Sequence, residues 1–355
     1  MSIHHISRRN FLGNTVAASA LMCAGKLDAF SFALEAARND WTLIVLPDIQ
    51  YYTDVYDPVS SGYTEVFNSQ ARWIVANKDA LNIKYVIQLG DITNHNHEDE
   101  WQNAQAGFSI LDGHIPYAIV SGNHDYSGGG RSTLMNTYFP YAKYSAWPTF
   151  GGAMVSGEME NTYHIFEAAG KKWLLLALEW GPRNETVEWA DTVLSEHSDC
   201  NTIMFTHAYL YYDSTRYDWT SKGEAQQWNP HSYSAVKADA NDGEELWQKL
   251  LKKHPQVQMA INGHVMGSGL GFLQSAGDAG NMVHQMLVNY QRGTRPMPRT
   301  GFAAGNGTIY DDGSLRILRF LADGKTVQVR DYSPYRDYFA VGLGSQFSFQ
   351  LSGLV

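Results

Sequence analysis

Continuous apolar runs, more than alternating ones, pattern the first third of the chain. Residues 41–46, 85–89 and 117–120 are short, rich in β-branched and aromatic side chains, and each stops at a polar cluster, as strands buried on both faces do. Between them the apolar positions change period. Val66, Phe67, Ala71, Ile74, Val75 and Leu81 fall at helical spacing over 64–81, and Trp101, Ala104, Phe108 and Leu111 do so over 98–111. The predicted order is therefore β-α-β-α-β. Further strands are predicted at 173–178, 202–205, 257–261 and 282–288, with helices at 186–195 and 244–253. Residues 315–321 and 326–331, joined by Ala322-Asp323-Gly324-Lys325, read as a hairpin that closes a second sheet.

Composition narrows the picture. The 355 residues are 44% hydrophobic and 17% charged, which excludes both a disordered tail and a polytopic membrane protein. Lys plus Arg number 26 against 36 Asp plus Glu, a net charge of -10. No broad cationic footprint for polymeric nucleic acid is expected from that balance. Aromatic residues reach 13%, and many sit in two loop regions, 127–150 and 209–234, which are candidate substrate rims.

The first residues carry an address. Ser7-Arg8-Arg9-Asn10-Phe11-Leu12, a mildly apolar run over 15–25 and the small-x-small site Ser31-Phe32-Ala33 resemble a twin-arginine export signal. That run is about half of the roughly 20 apolar residues a spanning helix needs. The resemblance implies removal of residues 1–33, a working domain over 40–355, the twin-arginine machinery as a partner, no stable membrane span in the mature chain, and a periplasmic or secreted location. Cys23 would leave with the signal and Cys200 would remain alone, so no intramolecular disulfide is expected.

The chemistry lies at the strand ends. Asp48-x-Gln50, Gly90-Asp91, Gly122-Asn123-His124-Asp125, His207 and Gly263-His264 occur in this order. Taken singly, a strand-terminal Asp is often a helix cap and a buried His often a satisfied core residue. Together they offer the carboxylate, amide and imidazole donors that divalent metals want, gathered where ligands collect outside the carboxyl ends of a sheet. Asp91, on the middle strand of the first three, is the natural bridge.

This ordered set resembles the calcineurin-like metallophosphoesterase superfamily, whose pattern is D-x-H, G-D, G-N-H-[DE], a later H, and G-H-x-H. The resemblance implies an α+β (α/β) four-layer sandwich, two mixed β-sheets flanked by helices. It implies a centre of divalent Mn, Fe or Zn ions, one held by Asp91, Asn123, His207 and His264, the other by Asp48, Gln50 and bridging Asp91. It also implies His124 as the acid protonating the leaving oxygen, with Asp125 orienting its ring. Asn94 and His95 are further candidates for contact with the phosphate. The chain departs from the pattern twice, with Gln50 for His and Met266 for His. A thioether suits a hard cation poorly, so the second position is weak, empty, or completed by a substitute among His284, Asn289 and Gln291. Pro47 to Tyr52 and Asn289-Tyr290-Gln291 resemble an exported bacterial branch of the superfamily with the same departures. The expected function is metal-dependent hydrolysis of a small phosphomonoester or phosphodiester. The rivals are a binding protein on the same fold, holding a glycan or partner through its aromatic loops, and a single-metal hydrolase of a non-phosphate ester.

Overall fold

The computed structural model describes residues 39–56, 64–127, 129–291 and 313–355. The export signal at 1–33 lies outside the described residues. Among the described residues no helix is long and apolar enough to cross a membrane.

The described residues form fourteen strands in two sheets: β1 (Trp41–Leu46), β2 (Ile83–Gln88), β3 (Tyr117–Ile119), β4 (Phe150–Ala153), β5 (Thr162–Ala168), β6 (Lys171–Ala177), β7 (Asn201–Phe205), β8 (Val257–Asn262), β9 (Leu270–Ala276), β10 (Met282–Val288), β11 (Leu315–Phe320), β12 (Thr326–Ser333), β13 (Tyr338–Ala340) and β14 (Gln346–Gln350). The first sheet runs β13-β12-β11-β1-β2-β3, with β14 on β12; the second runs β4-β5-β6-β7-β8-β10-β9. Both are mixed. In the first, β1, β2 and β3 are parallel while β11 is antiparallel to β1. In the second, β6, β7, β8 and β10 are parallel, with antiparallel strands at the edges.

Alternation along β1 shows why the runs are continuous. Leu43 and Val45 face the core between the sheets, where they meet Tyr85, Ile87, Leu175, Ile203 and Met259. Ile44 and Leu46 face the other way, into a layer with Phe67, Ala71, Ile74, Trp101 and Phe108. Those residues come from α1 (Thr64–Asn77) and α2 (Glu98–Ser109). The outer face of the second sheet is covered by α3 (Asn184–Glu196) and α4 (Gly243–Lys249), with Val187, Ala190, Leu194, Leu246 and Trp247 buried against Leu174 and Leu176. Helix, sheet, sheet and helix make the four expected layers.

The predicted strands are all present within a few residues, and helix 64–81 ends earlier than its pattern suggests. Leu81 N–H bonds to Asn77 O at 2.9 Å and Asn82 takes a left-handed φ of 46°, so 78–81 curls into the turn before β2. One loop expectation needs correction. Residues 127–150 contribute Met135, Phe139 and Tyr144 to the helix-side core, and Trp147 packs edge-on against Tyr117 at 5.1 Å. Their aromatics mainly fill the core and do not line a substrate rim.

Candidate metal centre

Six chain segments meet where β1, β2, β3, β7, β8 and β10 end. After β2 the backbone turns left-handed at Gly90 (φ 91°) and Asp91 (φ 51°), aiming the Asp91 carboxylate across the strand ends. Glycine at three positions is what lets the neighbours come close. A Cβ on Gly122 would stand 2.2 Å from Asp91 N and Oδ1, one on Gly263 2.2 Å from Asp48 Oδ1, and one on Gly90 2.7 Å from His207 Nδ1. The glycines of the motifs are thus spatial requirements of the carboxylates and imidazole that approach them from neighbouring strand ends.

The first pocket is a ring of acceptors facing one another. His207 Nε2 lies 3.1 Å from Asn123 Oδ1, 3.2 Å from Asp91 Oδ1 and 3.1 Å from His264 Nδ1. Each ring is fixed from behind: His207 Nδ1 faces Leu89 O at 2.7 Å, and His264 Nε2 faces Trp228 O at 2.8 Å. Both backbone oxygens can only accept, so the rear nitrogens carry protons; the inward nitrogen of His264 keeps its lone pair, and that of His207 has one once the ring is neutral. Ligand atoms of Asp91, His207 and His264 all lie within 4.8 Å of one another. Two imidazole nitrogens, a carboxylate and an amide oxygen in contact repel unless something positive sits among them, and they suit a divalent transition metal.

Protons compete with a cation for this role. Burial pushes His207 down, but the charges of Asp91 and Asp48 outweigh it and raise its pKa to about 9. Burial raises Asp48 to about 8. Burial also acts upward on Asp91, yet His207 and the other histidines hold it well below the usual carboxylate range. His264 is lowered to about 3, first by burial and then by the His207 charge, so it is neutral as a ligand must be. A cation must displace the protons on Asp48 and His207. Below about pH 8 we expect loading with zinc or manganese to release roughly two protons per centre. Apparent affinity then rises with pH and levels off above about pH 9, where both groups are already deprotonated. Calorimetry in buffers of different ionisation enthalpy reads the proton count directly.

Asp48 lies beside the first pocket. Both its oxygens accept from His264 N–H at 3.1 Å, and Oδ2 also accepts from Asn289 Nδ2 at 2.9 Å. Gln50 follows β1 in the helical turn Gln50–Thr53, and its Nε2 donates to Asp91 Oδ2 at 3.0 Å. The Asp91 oxygens therefore serve opposite sides, Oδ1 toward His207 and Oδ2 toward Gln50, as a bridge requires. Of the three substitutes considered for Met266, Asn289 and Gln291 are here. Gln291 Oε1 accepts from Gln50 Nε2 at 3.3 Å and Asn289 Nδ2 at 3.0 Å. His284 is elsewhere, its ring 4.2 Å from that of Phe349 and its Nδ1 3.1 Å from Gln274 Nε2.

His124 stands at the open side of the centre. Its N–H donates to Asp91 Oδ1 at 2.9 Å, and its Nδ1 donates to Asn94 O at 2.8 Å, which leaves Nε2 with no hydrogen-bond partner among the described residues. The expected partner for that ring, Asp125, is not the one observed. The Asp125 carboxylate is buried and accepts from the backbone N–H groups of Gly122, Ile92 and Thr93 and from Thr93 Oγ1, at 2.7 to 3.1 Å. It ties the β2 and β3 loops together because short, orphaned amides surround it, and the Asn94 carbonyl orients the imidazole instead. The Asn94 side chain donates to Asp54 Oδ2 at 2.8 Å, and His95 Nδ1 bonds Glu100 Oε1 at 2.8 Å. Neither side chain points at the acceptor ring.

Of the aromatic loop 209–234, two parts reach the centre. Trp228 supplies the carbonyl behind His264. Tyr233 packs edge-on against Trp180 at 4.8 Å and lies 6.1 Å from the His264 ring. Among the described residues its hydroxyl has no hydrogen-bond partner, whereas the buried Tyr85, Tyr117, Tyr126, Tyr209 and Tyr217 hydroxyls are all bonded.

A curated relative, the uncharacterized protein YvnB of Bacillus subtilis (strain 168), is 28% identical over 328 residues, covering 89% of this chain; the chain spans 22% of that relative's length. Among solved structures, purple acid phosphatase PPD1 from yellow lupin (Lupinus luteus) seeds is 14% identical at a TM-score of 0.49, with 88% of this chain and 54% of that one covered. The calcineurin-like phosphoesterase YfkN from Bacillus subtilis is 13% identical at a TM-score of 0.40, with 89% and 91% covered. The sequence profile of one family matches from β1 to just beyond His264, residues 42–268, which is more than half the chain. The chain belongs to the calcineurin-like phosphoesterase family.

Proposed function

We propose that the protein is a metal-dependent hydrolase of small phosphomonoesters or phosphodiesters, exported from the cytoplasm, with its reaction centred on Asp91. The observation that carries this reading is the ring of inward-facing acceptors, His207 Nε2, His264 Nδ1, Asn123 Oδ1 and Asp91 Oδ1, beside a His124 whose outer nitrogen is open. Divalent cations held there supply positive charge that polarises phosphoryl oxygens and draws water toward its ionised form. Asp48, Gln50, Asp91, Asn123, His207 and His264 are the proposed holders.

The remaining work belongs to the chain's own groups. His124 Nδ1–H is committed to the Asn94 carbonyl, so the proton available for transfer sits on Nε2. Burial lowers the affinity of this ring for protons, but the Asp91 charge and the Asn94 carbonyl reverse the sign and raise its pKa above the ordinary value. A charged His124 can hand that proton to a leaving oxygen. Asp125 holds the loops that place Asn94 and Asp91, which makes it a positioning residue.

Tyr233 offers an unspent hydroxyl close enough to Asp91 for the carboxylate to disfavour its ionisation, after burial. As a donor to a phosphoryl oxygen it would contribute about 1.5 to 3 kcal/mol. Tyr233→Phe is expected to lower kcat/KM by roughly 10- to 100-fold, with zinc and manganese content unchanged. An unaltered kcat/KM removes Tyr233 from substrate contact.

The test of the activity is hydrolysis of a bis-aryl phosphodiester and the matching aryl monoester, with manganese or with chelator. Metal-dependent turnover is the expected result, and the preferred ester ranks the two substrate classes. Bound metal without turnover of either would move the reading to a binding protein or a non-phosphate ester.

A further inference from the structure

The two sides of Asp91 are chemically unlike. On the Oδ1 side the donors include two imidazole nitrogens, from His207 and His264. On the Oδ2 side, where the family pattern would place two more histidines, this chain gathers Asp48 and the amides of Gln50, Asn289 and Gln291, and no imidazole among the described hydrogen bonds.

Those amides are held firmly. Tyr290, between Asn289 and Gln291, is buried, and its hydroxyl donates to Asp331, the partner of the buried Arg316 at 2.8 Å. Tyr52 OH donates to Tyr290 O at 3.1 Å, and Asn289 N–H donates to Gly269 O at 2.7 Å. Gly269 has a φ of 65°, and a Cβ there would stand 2.1 Å from Asn289 O. The segment is fixed from both sheets, with Asn289 and Gln291 turned toward the carboxylates.

One atom in this cluster is out of place. Gln50 Oε1 is buried and accepts no hydrogen bond from the described residues, while its Nε2 stands between two oxygens, Asp91 Oδ2 and Gln291 Oε1. Turning the amide over puts Oε1 where Nε2 now is, and the position becomes a set of oxygens around a point that only a positive charge can satisfy. The NH2 group occupies the place of such a charge.

We propose that this second position takes a hard, oxygen-seeking divalent cation of the magnesium, calcium or manganese class, held by Asp48, Gln50, Asp91 and Gln291, so that the loaded centre contains two different metals. The proposal rests on the metal-centre reading above and adds its selectivity. Nitrogen-poor, carboxylate and carbonyl donors favour such ions, whereas the imidazole pocket favours zinc or iron. Asn289 then acts by orienting Asp48 and Gln291.

The experiment uses the full chain stripped of metal, given an equivalent of zinc and then titrated with manganese(II). A further manganese ion is expected to bind, to show no imidazole nitrogen coupling by pulsed electron paramagnetic resonance, and to be displaced by excess magnesium or calcium. Gln50→Ala and Gln291→Ala should weaken manganese by at least about tenfold while leaving zinc bound. Gln50→His should bring nitrogen coupling to the second ion and tighten a second zinc, which separates a role in binding from a fault in folding. Nitrogen coupling in the unaltered protein, a second zinc as tight as the first, or no manganese uptake after zinc would each overturn the assignment. Manganese uptake as described, with no ester turned over, would instead overturn the phosphoesterase reading and leave the cation assignment standing.

Discussion

Replacing Asp91 with Asn is expected to release metal from both sides of the centre and to lower phosphoester turnover by at least roughly 10³-fold, several kcal/mol of lost charge stabilisation. The carboxylate faces both pockets, Oδ1 lying 3.2 Å from His207 Nε2 and Oδ2 3.0 Å from Gln50 Nε2. Asn tolerates the left-handed backbone that Asp91 adopts, so the variant should fold. Its amide lacks the charge that pulls a cation between the two sides. Metal analysis after dialysis decides the matter: a variant that retains a full complement of metal would show that Asp91 does not bridge.

His124→Ala should separate binding from proton transfer. Among the described residues His124 bonds to the centre through its backbone N–H, which donates to Asp91 Oδ1, while its ring Nδ1 bonds Asn94 O, and the substitution keeps the first of these. Metal content is therefore expected to match the parent, while turnover falls by about 10² to 10⁴. The loss should be largest for an alkyl ester, whose leaving oxygen needs a proton, and small for a nitrophenyl ester, which leaves readily as the anion. The parent should also lose activity at alkaline pH as His124 gives up its proton, and the variant should lack that limb. Equal losses on both esters would assign His124 to positioning.

Much of this was legible in the sequence, and for a definite reason. Strands buried on both faces write themselves as unbroken apolar runs, so β1, β2, β3, β6, β7, β8 and β10 stand out. Strand β4, Phe150-Gly151-Gly152-Ala153, does not, because its glycines lie against the Tyr163 ring and offer no apolar face of their own. The half-exposed β9 and β14 are equally quiet. Within the centre, Asp91, His207 and His264 are visible because motifs mark the strand ends that carry them. The carbonyls of Asn94 and Trp228, which orient two imidazoles, carry no side-chain signature. Asp125 misled for the opposite reason: a carboxylate beside a histidine in sequence looks like its partner, yet the turn at Asn123–Asp125 points the two side chains apart.

The centre is also joined across an unusually long stretch of chain. Asn289 reaches Asp48 across a sequence separation of 241 residues, and β1 pairs with β11, Trp41 opposite Phe320. Loops of that length close late, since their entropy must be overcome before the distant contacts exist to repay it. The ligands of the second position therefore come together only when both sheets have docked, after most of the polypeptide has collapsed. A cation cannot serve as a nucleus for such a chain. It can act as a latch, binding the finished molecule and holding it by mass action, so that metal uptake during refolding should lag behind the burial of the tryptophans.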